Sequence, residues 1–303
     1  PRQLHKLCVK EHYDIEVSYL EGPSARVISG CQNPGTKLVS WIHVEQHTMD
    51  KLAGSFRSKK EARACYSKFD QTVCVSQYVH DDFCQLLDFR KPCRVLYNTV
   101  ESDKILAGAN EAAPELADDG KIRLIAVGTL KQSKGYMRLL KIIRCLRDEQ
   151  YPVHLYILGI GPLQQEMEEY IRQNKLQDTV TLLGYQTNPY KYVSKCDLFV
   201  CASFAEGFST AATEALIVGI PVCTVEVSGM KEMLGEDNEW GVVVENSEKT
   251  LYQGIKNLLG EAEMLAHYKG TAAERGKMFS TQNTVRAAEK MLLELWGCYS
   301  EYH

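Results

Sequence analysis

The sequence lacks several features that would identify particular classes of protein. It contains no apolar run of about 18 residues or more, which is the length that a membrane-spanning helix needs. No charged and then apolar leader opens it, so we do not expect secretion. The net charge is only −4 over 303 residues, and we therefore expect no nucleic acid as a partner. These absences favour a cytoplasmic globular protein.

Motifs for common metals and cofactors are also missing. None of the 11 cysteines belongs to a Cys-x-x-Cys pair, so we expect buried thiols in a reducing compartment. No Gly-x-Gly-x-x-Gly follows a predicted strand, which argues against a dinucleotide site. His43 and His47 have the spacing of a zinc motif, but Val44 stands where that motif has a glutamate. We expect neither a metal nor a cofactor.

From residue 121 onward, short apolar segments alternate with segments at helical spacing. Strands of four to six apolar residues between helices predict a parallel sheet covered on both faces. We predict strands at 121–128, 154–159, 179–184, 197–201, 221–225 and 241–244. Ligands of such sheets bind at the carboxyl ends of the strands. The residues at those ends include Gly128, Gly159, Gly184 and Ser203.

The first 105 residues show the same alternation more weakly. We predict strands at 13–19, 25–29, 37–43, 71–76 and 94–97, and helices at 59–68 and 77–87. A final amphipathic helix begins near Thr281. Since domains usually have about 100–200 residues, the chain has room for two. We expect a first domain at 1–105, a linker rich in Ala, Gly and Pro at 106–120, a second domain at 121–280 and the last helix at 281–303.

One stretch of the second half carries polar groups that suit a ligand. Glu206 and Gly207 precede a predicted helix, and Glu214 follows on that helix eight positions after Glu206. The first N–H groups of a helix have no intrahelical acceptor and suit phosphate. Carboxylates accept hydrogen bonds from hydroxyl groups such as those of sugars. The sequence therefore predicts a site for a sugar joined to phosphate.

A series of landmarks in the second half resembles a known family. The landmarks are Gly128 with Lys134-Gly135, Gly159-x-Gly161-Pro162, Leu183-Gly184-Tyr185, Asp197-Leu-Phe-Val, Glu206-x7-Glu214, Gly219-x-Pro221-Val and Gly229-Met-x-Glu232. Their order resembles the nucleotide-binding domain of GT-B glycosyltransferases, specifically the retaining family 4, or glycosyl transferases group 1. Upstream, Trp41-Ile-His43, Val75-Ser76 and Asn98-Thr-Val resemble the second half of that family's N-terminal domain. The resemblance covers nearly the whole chain and implies an α/β fold of two Rossmann-like domains.

The resemblance implies roles for the residues that match its motifs. Glu206 would contact hydroxyl groups of the donor sugar, and Glu214 would contact those of the ribose. Lys134 would hold the diphosphate together with the backbone N–H groups of residues 208–210. Glu206, Lys134 and His43 are the implied catalytic residues, and His43 would touch the transferred sugar. The implied donor-binding residues are Gly128, Thr129, Lys134, Glu206, Gly207, Phe208, Ser209, Thr210 and Glu214.

Two features depart from the family pattern. Thr129 stands where the family commonly has a phosphate-binding arginine, so we expect that cation to be missing or to be supplied by Lys131. The N-terminal domain is also shorter than usual, and we expect it to be incomplete in its first strands.

A tyrosine-rich run at 185–192 allows more than one interpretation. It could stack on a nucleobase or line an acceptor groove. It could also be turn chemistry with partly buried rings. The sequence does not decide between them.

The implied activity is retaining transfer of a sugar from a nucleotide diphosphate sugar to a hydroxyl group of a glycan or a lipid-linked sugar. The chain has no Asp-x-Asp sequence, which agrees with neutralisation of the diphosphate by Lys134 and a helix dipole. Members of this family often synthesise cell-envelope polysaccharide on lipid-linked acceptors. The resemblance therefore also implies peripheral contact with the inner face of the membrane.

Three alternatives remain open at this point. A two-domain dehydrogenase would share the α/β alternation, but its Gly-x-Gly-x-x-Gly motif is missing from this sequence. A nucleotide-sugar epimerase or a glycan phosphorylase of the same fold would keep the phosphate site. A non-catalytic subunit that binds nucleotide sugars would keep it too. The products would separate the enzymes: a new glycosidic bond, an epimerised donor or a sugar phosphate.

Overall fold

The chain folds into two α/β units. The computed structural model of the protein describes residues 1–46, 52, 54–113, 116 and 119–297. One unit consists of Pro1–Asn98 with Gln282–His303, and the other of Thr99–Thr281.

The first unit contains a parallel sheet of four strands within the described residues. The strands are β1 (Ile15–Ser18), β2 (Lys37–Ile42), β3 (Gln71–Cys74) and β4 (Cys93–Val95), paired in that order. Every residue of β3 is buried, as are the last five of β2. Burial on both faces explains why β2 shows no alternation of apolar and polar residues after Lys37, whereas β3 also buries Gln71 and Thr72.

Helices connect these strands. They are α1 (Arg2–Cys8), α2 (Pro23–Ile28), α3 (Lys59–Tyr66) and α4 (Gln77–Leu87). The hydroxyl groups of Ser58 and Ser76 accept the N–H groups of Glu61 and Val79 in the first turns of α3 and α4. The prediction of a strand at 25–29 is wrong, because residues 25–28 belong to α2 and Ser29 caps the end of that helix. Pro23 fixes the first helical φ after Gly22, whose φ is +76°.

The second unit contains a six-stranded parallel sheet within the described residues. Its order is β10-β9-β8-β5-β6-β7, with every pair parallel. The strands are β5 (Ile122–Val127), β6 (Val153–Leu158), β7 (Val180–Gly184), β8 (Leu198–Cys201), β9 (Val222–Val225) and β10 (Val242–Val244). Each lies within two residues of its predicted position. The chain runs outward from β5 through β6 to β7, then returns to β8 on the other side of β5. The strand order therefore reverses between β5 and β8, which is where open α/β sheets bind ligands.

Helices cover both faces of this sheet. They are α5 (Ser102–Ala109), α6 (Tyr136–Asp148), α7 (Gln164–Gln173), α8 (Tyr190–Val193), α9 (Thr210–Ile217), α10 (Met230–Leu234), α11 (Glu248–Gly260) and α12 (Ala262–Lys277). The last helix, α13 (Thr281–Trp296), belongs to the first unit from Gln282 onward. Among the described residues, no helix combines the length and the apolar character that crossing a bilayer requires.

The boundary between the units differs from the predicted linker at 106–120. Helix α5 packs within the second unit, where Asn188 Nδ2 donates to the Gly108 carbonyl at 3.0 Å and Ser194 Oγ donates to the Ala109 carbonyl at 2.7 Å. A Cβ atom at Gly108 would lie 2.7 Å from Asn188 Oδ1, so the small residues here serve close packing. Helix α13 joins the first unit instead, through an ion pair of 2.6 Å between Arg94 and Glu294.

Candidate active site

The loops after β5 and β8 meet at the reversal of strand order. The loop after β5 forms a short 3₁₀ turn at Gln132–Lys134 and ends at Gly135, whose φ is +68°. A Cβ atom at Gly135 would lie only 1.9 Å from the Ala202 carbonyl oxygen. This close approach of two backbones requires glycine, and it brings the side chain of Lys134 against the loop that carries Glu206.

An ion pair joins the two residues predicted to be catalytic in this unit. Lys134 Nζ donates to Glu206 Oε1 at 2.6 Å, and Ser203 Oγ donates to the same oxygen at 2.6 Å. The Glu206 side chain is 11% exposed and that of Lys134 is 24% exposed. An ammonium group has three N–H donors, so Lys134 can bind Glu206 and still donate to an anionic ligand. The carboxylate is thus held in one orientation beside a cation.

The loop that carries Glu206 is held by hydrogen bonds from Arg138, a residue for which the sequence predicted no role. Arg138 on α6 is 6% exposed. Its Nε donates to the Ala202 carbonyl at 2.7 Å and its Nη2 to the Ser203 carbonyl at 2.8 Å. Its guanidinium lies 4.2 Å from the ring centre of Phe204. Arg138 therefore orients the backbone that presents Glu206, and its position among the apolar residues of a helix was the available signal.

Helix α9 begins directly after this loop. Ser209 caps it by accepting the Ala212 N–H at 3.4 Å. Phe208 is buried and its ring lies 5.6 Å from that of Phe279. The Gly207 carbonyl accepts the Gly229 N–H at 3.5 Å. These contacts fix the turn at 207–210, so that the positive end of the helix dipole faces the same edge of the sheet as Lys134.

Lys134, Ser203, Glu206 and Ser209 all line one small cavity of about 20 Å³. This is room for a single water molecule. The cavity is therefore the floor of the site and not the space for a whole ligand.

Glu214 is hydrogen-bonded to Tyr190, a residue of the tyrosine-rich run to which the sequence assigned no role. Tyr190 OH donates to Glu214 Oε1 at 3.2 Å. Burial raises the pKa of Glu214, and the hydrogen bond from Tyr190 partly offsets the rise. Burial and the neighbouring carboxylate raise the pKa of Tyr190 to about 12, so its hydroxyl remains a donor at neutral pH. The tyrosine-rich run thus supplies one residue that orients Glu214.

The residues after β5 also lie at this edge. The Gly128 φ is +152°, and a Cβ atom there would lie 3.0 Å from Tyr136 OH. Thr129 accepts the Lys131 N–H through its carbonyl at 2.8 Å. The Lys131 side chain is exposed, so the structure leaves its expected phosphate role as a prediction.

His43 belongs to the first unit, directly after β2. Its backbone N–H donates to Glu21 Oε2 at 3.2 Å. Its ring contacts that of Tyr19 edge-on, with the ring centres 4.8 Å apart. Burial lowers the pKa of His43, which favours the neutral imidazole. Its Nδ1 is buried and has no hydrogen-bond partner within the part of the chain that the structure describes. His47, the second histidine of the rejected zinc motif, lies outside the described residues.

Two α/β units, each built on a parallel sheet and the second with a polar site at its strand reversal, define the GT-B class of glycosyltransferase fold. Solved structures share this fold. Anabaena HepE in complex with UDP has 17% identity and a TM-score of 0.80, covering 96% of this chain and 80% of that one. S. aureus TarM has 20% identity and a TM-score of 0.77, with 97% of this chain and 57% of that chain covered.

Sequence comparison identifies the family. The sequence model of glycosyl transferases group 1 matches residues 109–275. An N-acetylgalactosamine-N,N'-diacetylbacillosaminyl-diphospho-undecaprenol 4-alpha-N-acetylgalactosaminyltransferase of Campylobacter jejuni is 35% identical over 95% of this chain and 78% of its own length. The chain therefore belongs to the glycosyl transferases group 1 family and is a glycosyltransferase.

Proposed function

We propose that this glycosyltransferase moves a sugar from a nucleoside diphosphate sugar to a hydroxyl acceptor with retention of configuration. The observation that carries the proposal is the contact of Lys134, Ser203 and Glu206 beside the start of α9. A cation and a helix N-terminus suit a diphosphate. A fixed carboxylate next to them suits the hydroxyl groups of the attached sugar.

Each residue has a distinct role in this proposal. Lys134 and the N–H groups at the start of α9 stabilise the charge that develops on the leaving diphosphate. Glu206 orients the donor sugar, and Glu214, positioned by Tyr190, accepts from the ribose hydroxyl groups. His43 contacts substrate as a neutral imidazole, in keeping with its lowered pKa and its unpartnered Nδ1.

We propose that the reaction requires no bound metal or cofactor. Lys134 and the helix dipole supply positive charge at the diphosphate. Retention would follow from displacement on the face that the leaving group occupies. The leaving phosphate oxygen then accepts the proton of the acceptor hydroxyl as the new glycosidic bond forms and the old one breaks.

For the substrates, we propose a UDP-linked N-acetylhexosamine donor and a lipid-linked diphosphate sugar acceptor. The names of two similar proteins support this choice of substrates. The Campylobacter relative is named for the transfer of an α-linked N-acetylgalactosaminyl group to an acceptor on diphospho-undecaprenol. HepE was crystallised with UDP. An acceptor of this kind would bring the protein to the cytoplasmic face of a membrane, in cell-envelope or glycan synthesis.

Product analysis tests the proposal. The protein is incubated with UDP-N-acetylgalactosamine, UDP-N-acetylglucosamine or UDP-glucose and a synthetic diphospholipid-linked sugar, and the products are identified by mass spectrometry and NMR. We expect the acceptor to gain one hexosamine in α linkage and UDP to be released. An epimerised donor or a free sugar 1-phosphate with no new glycosidic bond would contradict the proposal and favour the epimerase or phosphorylase.

A further inference from the structure

Three cysteines and a histidine lie near one another in the first unit, on β3, α4 and β4. Cys74 ends β3 and Cys93 begins β4. His80 and Cys84 lie one turn apart on α4, the helix between those strands. Residues four apart on a helix share a face. Three elements that are consecutive in the chain therefore deliver four potential metal ligands to one place.

The ligand atoms are close together. Cys74 Sγ lies 3.5 Å from Cys93 Sγ, and Cys84 Sγ lies 3.8 Å from His80 Nε2. The ligand atoms of His80, Cys84 and Cys93 all lie within 4.8 Å of one another, and Cys74 Sγ adjoins this group of three through Cys93. A tetrahedral zinc ion with Zn–S bonds of about 2.3 Å and Zn–N bonds of about 2.0 Å has ligand atoms about 3.5–3.8 Å apart. In such a tetrahedron the S–S edge is about 3.8 Å and the S–N edge about 3.5 Å, so each measured separation lies within about 0.3 Å of its edge.

The histidine ring is oriented as in a metal site. The other ring nitrogen, Nδ1, lies 2.8 Å from Asp81 Oδ1 and 3.1 Å from Gln77 Nε2. A proton on Nδ1 that is donated to this carboxylate leaves the lone pair on Nε2, which is the nitrogen that faces Cys84. Histidine ligands of zinc regularly donate their second N–H to a carboxylate in this way.

A second group of possible ligands makes a useful contrast. His5, Glu16 and Cys31 also approach one another, but His5 Nε2 is 2.6 Å from Glu16 Oε2 and the pair is explained as a hydrogen-bonded ion pair. It offers a single sulfur. The cluster at Cys74, Cys84 and Cys93 offers three, and soft thiolate ligands select zinc.

We propose that Cys74, His80, Cys84 and Cys93 bind a structural zinc ion that ties β3, α4 and β4 together. The three thiols lose their protons to solvent as three thiolate–zinc bonds form. Four protein ligands leave no open position, so the site is structural rather than catalytic. The sequence predicted no metal, because the ligand spacing Cys-x5-His-x3-Cys-x8-Cys contains no Cys-x-x-Cys pair. In the described part of the chain, five of the cysteines are buried as expected. Against the expectation, Cys31, Cys84 and Cys93 are half-buried, and Cys8 and Cys145 are exposed.

Metal analysis of the full chain tests this proposal. The protein is produced with added zinc, purified under reducing conditions without chelator, and analysed by mass spectrometry of its metal content. We expect one zinc ion per chain. Replacement by cobalt should give the visible absorption of a tetrahedral ion and a thiolate-to-cobalt charge-transfer band. A chelator that removes the ion should lower the Tm.

Variants separate the proposed ligands from other thiols. Cys84→Ser and Cys93→Ser should each reduce zinc affinity by more than about tenfold, and Asp81→Asn by about 10–100-fold through the histidine. Cys145→Ser, at an exposed cysteine of the second unit, should keep full zinc content. The wild-type protein alone decides the matter if a variant fails to fold. Metal-free wild-type protein with free thiols, or a disulfide among these cysteines, would overturn the proposal.

Discussion

At the scale of single residues, Lys134 has the central position in the site. It is the cation of an ion pair that is largely shielded from water, and its ammonium group has donors beyond the one that Glu206 accepts. Ser203 donates to the same Glu206 oxygen, so the carboxylate keeps a partner when Lys134 turns toward a phosphate. The residue can thus serve both the glutamate and an anionic ligand.

Loss of Lys134 should weaken binding of the diphosphate and not of the nucleoside. We expect Lys134→Ala to reduce UDP affinity by about 1.5–3 kcal/mol, the size of a charge-assisted hydrogen bond. Calorimetric titration with UDP and with uridine measures this. Lys256→Ala is the matched control, because Lys256 also donates to a glutamate, Glu149, at 2.6 Å. An equal loss for uridine would show that the substitution disturbs the fold instead.

The pH dependence of UDP binding should report Glu214. Burial raises its pKa above the ordinary 4.5 and Tyr190 lowers it, so Tyr190→Phe should raise it further. Only the ionised carboxylate accepts from both ribose hydroxyl groups, and UDP affinity should fall as the pH drops through this pKa. In Tyr190→Phe the fall should begin at higher pH.

The phosphate groups of UDP also titrate, so UDP affinity is compared with that of Glu214→Gln, which has no carboxyl group at this position. Relative to this variant, the wild-type protein should show an extra loss of affinity in acid. The free energy of unfolding should change with pH in the opposite direction, because the raised pKa of Glu214 favours the folded state in acid. A raised pKa in the folded state stabilises the fold below the ordinary value, and this contribution is lost as the pH rises through the raised one. Identical pH profiles for wild type and Glu214→Gln would rule out the ribose role.

The residues of the site differed in how far the sequence could predict them. Lys134, Glu206 and Glu214 could be proposed from the sequence because they belong to a linear motif with glycine and helix signals. Arg138 and Tyr190 were missed, because their roles come from contacts across 64 and 24 positions of the chain. Hydrogen bonds of this kind depend on tertiary packing, which residue spacing does not encode.

At the scale of elements, the site depends on the contact between the loops after β5 and β8. Gly135 allows that contact, since its φ is positive and any Cβ atom would overlap the Ala202 carbonyl. The strands before these loops were predicted to within two residues because they are short and mostly apolar: all of β8 is buried, as are residues 124–126 of β5. In the first unit, residues 25–29 were misread as a strand, because a short apolar run does not distinguish helix from strand.

Two glycine-to-alanine substitutions should have opposite effects on stability. Gly135→Ala should reduce the free energy of unfolding by about 1–3 kcal/mol, since strain at positive φ and a backbone clash both oppose it. Gly270→Ala, within α12 and with open space around it, should increase stability by about 0.5–1 kcal/mol. Urea denaturation measures both. Gly135→Ala with wild-type stability would contradict the proposed contact between the loops.

At the scale of the whole molecule, the proposed contacts with the nucleotide all belong to one unit. Lys134, the start of α9 and Glu214 lie in Thr99–Thr281, whereas His43 lies in the other unit. Helix α5 overlaps the start of the predicted linker and packs within the second unit. The unit therefore has to include α5 to be complete.

Residues 99–281 expressed alone should bind UDP with nearly the affinity of the whole chain. The reason is that the proposed phosphate and ribose contacts are contained in this unit. Calorimetry on both proteins checks this, and a shorter version that begins at residue 120 is the control. We expect the shorter version to be less stable because it lacks α5. Failure of the 99–281 protein to bind UDP at millimolar concentration, despite cooperative unfolding, would show that the donor site has been misplaced.

The central claim is that Glu206 acts on the transferred sugar. Transfer rate and UDP affinity are measured for Glu206→Gln, with Glu149→Gln as the control because its carboxylate also pairs with a lysine at 2.6 Å, outside the site. We predict that Glu206→Gln lowers the rate of transfer by at least about 10²-fold while UDP affinity changes only a few-fold, and that Glu149→Gln changes neither. An unchanged transfer rate in Glu206→Gln, or a loss confined to UDP affinity, would contradict the assignment of this glutamate to the sugar.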